Sequence, residues 1–318
     1  MALQIVKKVL SIIPLMLVVS ILLFILINAL PGDASMSVLT EATSQEYVDA
    51  MREKMGLDKP PVERYFVWLR DALRGNLGSS LLTSETVSEK LALRFPITME
   101  ITLVAMLISV LIALPLGVLS AIKRNSIYDV AGSLVSMVGV AMPSFWLGLL
   151  LVMYFAVGKR WLPASGFVPF SEDPIANIRS IILPCISIGF GFAATIMRQT
   201  RSALLEVLEQ DYILTARAKG VKEKVVIWRH AMRNALIPVL TVTAMQIGRL
   251  IGGAVVTETV FAIPGMGDAI VSAITNRDYP VAMGMIIVVV AVVVSINTIV
   301  DVLYLIIDPR ISTKAKKG

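Results

Sequence analysis

Six long apolar runs, at about 9–30, 97–120, 130–157, 180–200, 236–260 and 280–307, set the pattern of this chain. Each has about the 20 residues that a helix needs to cross the roughly 30 Å hydrocarbon layer of a bilayer. Backbone amides and carbonyls find no water there, so the runs are predicted to be helices that satisfy their own hydrogen bonds. Between the first two runs lies a mixed polar segment, 31–95. Between the fourth and fifth lies a polar island, about 201–235, far longer than the roughly 2–8 residues of an ordinary helix connection. No long linker or low-complexity stretch divides the chain, which predicts one all-α membrane domain over 1–318.

Composition strengthens that picture. Hydrophobic residues make up 56% and charged residues 16%, with a mean hydropathy of +0.80. Soluble domains have about 45–50% apolar and about 25% charged residues. The first run follows Lys7 and Lys8, but it is longer than the roughly 7–15 apolar residues of a secretory signal. Asn28-Ala29-Leu30-Pro31 is also a poor cleavage site, so the run is expected to be a retained span.

The cations set an orientation. With the N-terminus in the cytoplasm, sixteen Lys and Arg fall on inner segments and four on the short outer loops. The inner ones are Lys7, Lys8, Lys123, Arg124, eight on the stretch from Arg198 to Ala235, and Arg310, Lys314, Lys316 and Lys317. The outer ones are Lys159, Arg160, Arg179 and Arg277. This is the asymmetry of the positive-inside rule. It explains the net charge of +6 by topology and points to anionic lipid or a protein partner rather than nucleic acid.

Catalytic chemistry is not visible. Cys185 is the only cysteine and lies within a span, where it reads as a core residue. His230 is the only histidine, and zinc needs several such ligands. The Gly158-Lys159 pair continues into Arg160 and lacks the upstream glycine of a phosphate-binding loop. There is no His-Glu-x-x-His and no Gly-x-Ser-x-Gly. Energy for uphill transport would have to come from another subunit.

Polar and special residues within the spans add detail. Pro115, Pro143 and Pro184 remove backbone hydrogen bonds and favour kinks. Gly248 and Gly252 are four apart and suit close helix packing. Arg249 lies roughly 20 Å along its helix from Leu236, near mid-membrane. A charge there faces a bundle interior, a wet cavity or an acid on another element. Glu258, nine residues on, falls on the opposite helix face. Glu100 and Glu258 lie near the outer surface, and Asp301 near the inner end of the last span. In the outer segment, Pro60 and Pro61 precede Tyr65, Phe66, Trp68, Leu69 and Leu73, with Gly75 at the close. This predicts a short amphipathic helix on the membrane surface, with Tyr65 and Trp68 as interfacial anchors.

The island holds Asp211-Tyr212-Ile213-Leu214-Thr215-Ala216-Arg217-Ala218-Lys219-Gly220 and then Arg229-His230-Ala231-Met232-Arg233-Asn234-Ala235-Leu236-Ile237-Pro238. These segments resemble the cytoplasmic loop of ABC importer permeases of the dipeptide, oligopeptide and nickel branch. Leu30-Pro31-Gly32-Asp33, Gly75-Asn76-Leu77-Gly78, Phe95-Pro96-Ile97-Thr98 and Glu258-Thr259-Val260-Phe261 are similar to that branch. So are Pro264-Gly265-Met266-Gly267, Arg277-Asp278-Tyr279-Pro280 and Asp308-Pro309-Arg310. The likeness covers nearly the whole chain. One departure is that Leu214-Thr215-Ala216 stands where the general importer pattern has Glu-Ala-Ala.

The resemblance implies a type I ABC importer permease fold in a prokaryotic cytoplasmic membrane, with both termini inside. It implies a short coupling helix that two cytoplasmic P-loop ATPases grip, formed by Thr215, Ala216, Arg217, Ala218, Lys219, Gly220, Val221 and Lys222. ATP and magnesium would bind those ATPases, and this chain would hold no cofactor or metal. A second, homologous permease would complete a path that Arg249, Gly252 and Glu258 line, with an outer gate at Phe261, Pro264 and Gly265. An extracytoplasmic binding protein would dock near Tyr65, Trp68, Arg277 and Asp278. The cargo implied is a di- or oligopeptide; nickel complexes and other small solutes are the alternative. An intramembrane enzyme and a passive channel are the competing classes.

Overall fold

The computed structural model describes residues 6, 8–29, 59–83 and 85–307. The motifs around Pro31 and Asp308, most of the outer segment before Lys59, Lys7 and the tail cations lie outside them. Helix α1 is Ile12–Ala29, α2 Pro61–Leu73, α3 Val87–Ile122, α4 Ile127–Ala141 and α5 Ser144–Leu151. Helix α6 is Pro174–Leu208, α7 Asp211–Ala218, α8 Met232–Val260, α9 Met266–Thr275 and α10 Tyr279–Ile307. No strand occurs among the described residues; Ser79 and Thr86 form one isolated bridge.

Local chemistry fixes several boundaries. The short helix predicted after Pro60 is present as α2, with Pro61 in its first turn, where proline costs no hydrogen bond. Helix α3 starts at Val87 instead of near 97 because Thr86 and Glu89 form a reciprocal cap. The Glu89 amide donates to Thr86 Oγ1 (3.2 Å) and the Thr86 amide to Glu89 Oε2 (2.8 Å). Asp173 caps α6 by accepting from the amides of Ile175 and Ala176, with Pro174 just inside. Pro115 and Pro184 sit inside α3 and α6 without breaking them.

Among the described residues, five helices are long and apolar enough to cross a membrane: Lys8–Ala29, Val87–Ile122, Pro174–Leu208, Glu223–Val260 and Tyr279–Val302. The expected third span is not one helix. Ile127–Ala141 and Ser144–Gly158 are bent by 106° at Met142-Pro143. A proline pushes the preceding residue out of the helical region, and Met142 is extended, with φ −81° and ψ 123°. Counted as one broken span, the pair gives the sixth.

The described residues fall into two compact units. One comprises the described parts of Met1–Thr98 and Pro264–Thr298. Its core joins Phe24 and Ile27 of α1, Tyr65 of α2, Val87 of α3, Ile270 and Ala273 of α9, and Val281 to Met285 of α10. The other comprises Met99–Ile263 with the described part of Ile299–Asp308. Its core gathers Ala113 and Val118 of α3, Ile196 and Leu204 of α6, Ile213 of α7, and Met232 and Ala235 of α8. Helices α3 and α6 touch backbone to backbone at Gly117. A Cβ there would stand 2.7 Å from Thr200 Cβ and 2.8 Å from the Met197 carbonyl oxygen, so only glycine fits.

Candidate functional site

The island folds into a short helix on a tight stop. Asp211 in the first turn of α7 complements the positive end of the helix dipole. Ile213 is fully buried and ties α7 to Leu204, Val226 and Ala231. Asn234 Nδ2 donates to Tyr212 Oη (2.7 Å), a second tie to α8. The helix ends where Gly220 turns left-handed, with φ +75°. The Gly220 amide donates to the Arg217 carbonyl (2.9 Å) and the Val221 amide to the Ala216 carbonyl (3.2 Å). Those two bonds are a Schellman cap, and they satisfy carbonyls that the last turn would leave open. Gly220 is thus the C-cap glycine of α7.

The residues of α7 and its cap divide between two faces. Ala216 and Val221 pack inward on the core, so of the small residues it is Ala218 that permits close approach from outside. Thr215, Ala218, Lys219 and Lys222 are exposed. Tyr212 and Leu214 expose apolar surface, as does Trp228 on the following wide-turn helical segment, Val226–Ala231. Arg217 is not a free cation. Its Nη2 meets Glu223 Oε1 at 2.6 Å and its Nε meets Oε2 at 3.1 Å. That hydrogen-bonded carboxylate raises the guanidinium above its ordinary pKa and offsets its charge. The pair bridges the glycine turn between residues six apart, a spacing that no helical period signals. Lys219 and Lys222 make no ion pair among the described residues.

Helix α8 separates the residues expected along a path. Arg249 is exposed, and its side chain has no hydrogen bond or ion pair among the described residues. Beside it, Gly252 and Gly253 open onto space, with no atom within 4 Å of where a Cβ would stand. Gly252 therefore packs on nothing within this unit. Glu258 lies on the opposite face and is fully buried with Leu250, Ile251, Ala254 and Thr257, so it lines no open surface. Phe261, expected at an outer gate, is also buried. It lies over Gly148, and its carbonyl accepts from the Gly166 amide (2.9 Å). Pro264 is half-buried and Gly265, buried, opens α9.

In the other unit, two residues expected to face a binding protein face inward. Tyr65 is 8% exposed because its ring meets Phe24 edge to face at 5.5 Å and its hydroxyl is 2.9 Å from Ser20 Oγ. Trp68 is half-buried in the same cluster, and its Nε1 has no partner among the described residues. Asp278 is buried as well. It accepts from Ser80 Oγ (2.5 Å) and from the Leu81 amide (3.1 Å), which holds the segment before α3 against the start of α10. Arg277 is half-buried with φ +58°.

The sequence pattern does not disclose one further constellation. Asp129, in the first turn of α4, is 4% exposed. Arg201 of α6 reaches it with Nε to Oδ1 at 2.6 Å and Nη2 to Oδ2 at 2.9 Å. Ser120 Oγ donates to Oδ1 (2.6 Å) and the Asn125 amide to Oδ2 (3.0 Å). An acid beside a turn rich in cations reads as solvated, and only the fold reveals its four donors. No cluster of three or more His, Cys, Asp or Glu fit for a metal occurs among the described residues.

Apolar helices of spanning length, with a capped polar helix offered beside them, define a multi-pass membrane transport subunit. Residues 113–313 match the family described as the inner membrane component of binding-protein-dependent transport systems, and residues 1–102 match the N-terminal component of those systems. The chain belongs to this family. It is 42% identical over 307 residues to a Brucella suis protein described as a putative peptide transport system permease, covering 96% of this chain and 98% of the relative. It is 39% identical over 326 residues to the dipeptide transport system permease DppB of Alkalihalophilus pseudofirmus (96% and 98%). It is 40% identical over 321 residues to the di/tripeptide permease DppB of Pseudomonas aeruginosa (94% and 95%). The chain is accordingly a permease subunit and not an enzyme, and ATP is hydrolysed on separate subunits of the system.

Proposed function

We propose that this chain imports di- or oligopeptides as one of two homologous permeases that enclose a path between them. The observation that carries the reading is α7, a helix pinned from below by Ile213 and stopped by Gly220. It offers Leu214, Thr215, Ala218 and Lys219 outward. Two P-loop ATPases, holding ATP and magnesium, grip that face on each half of the pair. ATP binding favours an outward-facing state that receives cargo from the binding protein, and hydrolysis returns the pair inward. Both termini lie in the cytoplasm of a prokaryote. A ligand or nucleotide shifts such an equilibrium only by its differential affinity for the two states.

The peptide assignment rests on the peptide-permease relatives together with Arg249. A cation exposed at mid-helix beside an open glycine shelf faces the path, where it meets a peptide carboxylate as cargo passes. The test is mild affinity purification of this chain from its host, with mass spectrometry of what accompanies it. Recovery of a second multi-span permease and P-loop ATPases, lost when Arg217 to Gly220 are replaced, supports the reading. An intact chain that purifies without an ATPase overturns it and favours a passive channel. Uptake by the purified complex of a nickel complex in preference to peptides would overturn the cargo.

A further inference from the structure

The contacts of Asp129 bear on how force leaves α7, and a role for them rests on ATPase docking at that helix. Helix α7 is joined covalently to α6 through Glu209-Gln210 and to α8 through the segment after Gly220. It has no covalent link to α3 and α4 except through those helices. Movement of α7 therefore reaches the α3–α4 pair through side-chain contacts, along α6 and in the core that α3 shares with α7 and α8.

Those contacts are of two kinds. Most are apolar. Gly117 of α3 sits on Thr200, and a Cβ on Gly132 of α4 would collide with Met197 Cε. Apolar surfaces in lipid resist separation, but they are not directional and tolerate rotation and sliding. The contact between Asp129 and Arg201 is directional. A guanidinium fork on a carboxylate fixes both distance and plane. Ser120 and the Asn125 amide hold the same carboxylate from α3 and from the α3–α4 turn, so all four acceptor directions are used. Asn125 takes a left-handed φ of +62° in delivering its amide. Sliding α6 against α3 and α4 would strip a buried carboxylate of its donors, so the three helices move together or not at all. A second pair, Arg124 with Glu209 at 3.0 Å, lies nearby but is exposed at both ends and imposes no such constraint.

We propose that Asp129 and Arg201 are positioning residues for coupling. They lock the end of α6 that carries α7 to the α3–α4 turn, so that the stroke of an ATPase on α7 turns α3, α4 and α6 as one body. Without the lock, α6 yields locally, and hydrolysis proceeds while the path does not open.

The test uses the whole transporter, purified through this chain and reconstituted with its binding protein in liposomes. ATP hydrolysis and peptide uptake are measured on the same vesicles, and the readout is uptake per ATP. That ratio is independent of how much protein folds. Asp129→Asn and Arg201→Lys are expected to lower it at least fivefold with hydrolysis retained. Ser120→Ala is expected to lower it about twofold, and Arg124→Ala to leave it unchanged. Should Asp129→Asn fail to assemble, Arg201→Lys and Ser120→Ala decide the matter, because each keeps the net charge. Uptake and hydrolysis falling in parallel, with the ratio constant, would show a purely structural pair and overturn the proposal. Absence of ATP-dependent uptake by the unaltered transporter would instead overturn ATPase docking at α7.

Discussion

Replacing Gly220 with alanine isolates a single physical term. The glycine has φ +75°, and no atom lies within 4 Å of where a Cβ would stand. Steric collision with the other described residues is therefore absent, and the cost is that of an L-residue in the left-handed region. That cost is about 1–2 kcal/mol per residue. At about 1.4 kcal/mol per factor of ten, the stopped form of α7 loses roughly a factor of 5–30 in population relative to unwound alternatives. Ile213 and the Tyr212–Asn234 bond hold the start of the helix, so the loss falls on its last turn, Thr215 to Lys219. The assay is the affinity of the isolated ATPase subunit for the permease pair in nanodiscs, without nucleotide. Gly220→Ala should weaken it about fivefold or more, and Gly220→Asn less, because asparagine tolerates this backbone better. Gly75 is the control. It has φ +87° and equally open space but lies in the other unit, after α2. Its alanine variant carries the same backbone cost and should bind the ATPase normally. Equal weakening by both variants, or none by Gly220→Ala, would refute the assignment of the cap to docking.

Burial and exposure set three further outcomes. Ile213→Ala removes a fully buried side chain at the only residue of α7 that is buried, at a cost of about 2–5 kcal/mol. Limited proteolysis should then cut near 211–220 well before the spans. Ser80→Ala takes one donor from the buried Asp278 carboxylate and should cost about 1–3 kcal/mol, read as a lower thermal midpoint. Arg249→Ala should leave assembly and thermal stability unchanged, since its side chain is exposed and has no partner among the described residues, while uptake of peptides slows. An Arg249→Ala transporter that carries peptides at the normal rate would place the arginine off the path.

The spans are legible in the sequence because 20 apolar residues in succession have few alternatives to a membrane helix. Their ends are not. Helix α3 extends ten residues before the apolar run because Thr86 and Glu89 cap it, a side-chain event that hydropathy does not register. Pro143 reads as a kink within a span, and the 106° bend exceeds a kink because Met142 leaves the helical region altogether. The surface helix is legible from its prolines and aromatic spacing, yet the surroundings of its residues are not. Tyr65 has the chemistry of an interfacial anchor and also that of a partner for Ser20 and Phe24, 45 and 41 positions earlier. Local pattern cannot choose between lipid and a distant helix of the same chain.

Charge carries the same ambiguity, and here it changes what docking should look like. Read as a row of residues, α7 and its cap present Arg217 and Lys219 as two cations awaiting acids on a partner. In the fold, Arg217 is matched by Glu223, and a pair with side chains 37% and 55% exposed contributes about 0–1 kcal/mol. Of the two, Lys219 stays unpaired among the described residues, beside exposed Tyr212 and Leu214, at 43% and 52%. The apolar part of the surface offered to an ATPase is thus Tyr212, Leu214 and Ala218, to which the matched Arg217 adds little net charge. Screening at about 1 M salt shortens the Debye length to about 3 Å, which would dissolve an interface built on surface ion pairs. An apolar face is little affected and is favoured by excluded salts such as sulfate. Retention of the ATPase on the permease should therefore change less than about threefold between about 0.1 and 1 M sodium chloride. A loss of about tenfold or more over that range would mean that Arg217 leaves Glu223 to meet the partner, and that the cations of the island, not its apolar face, hold the complex together.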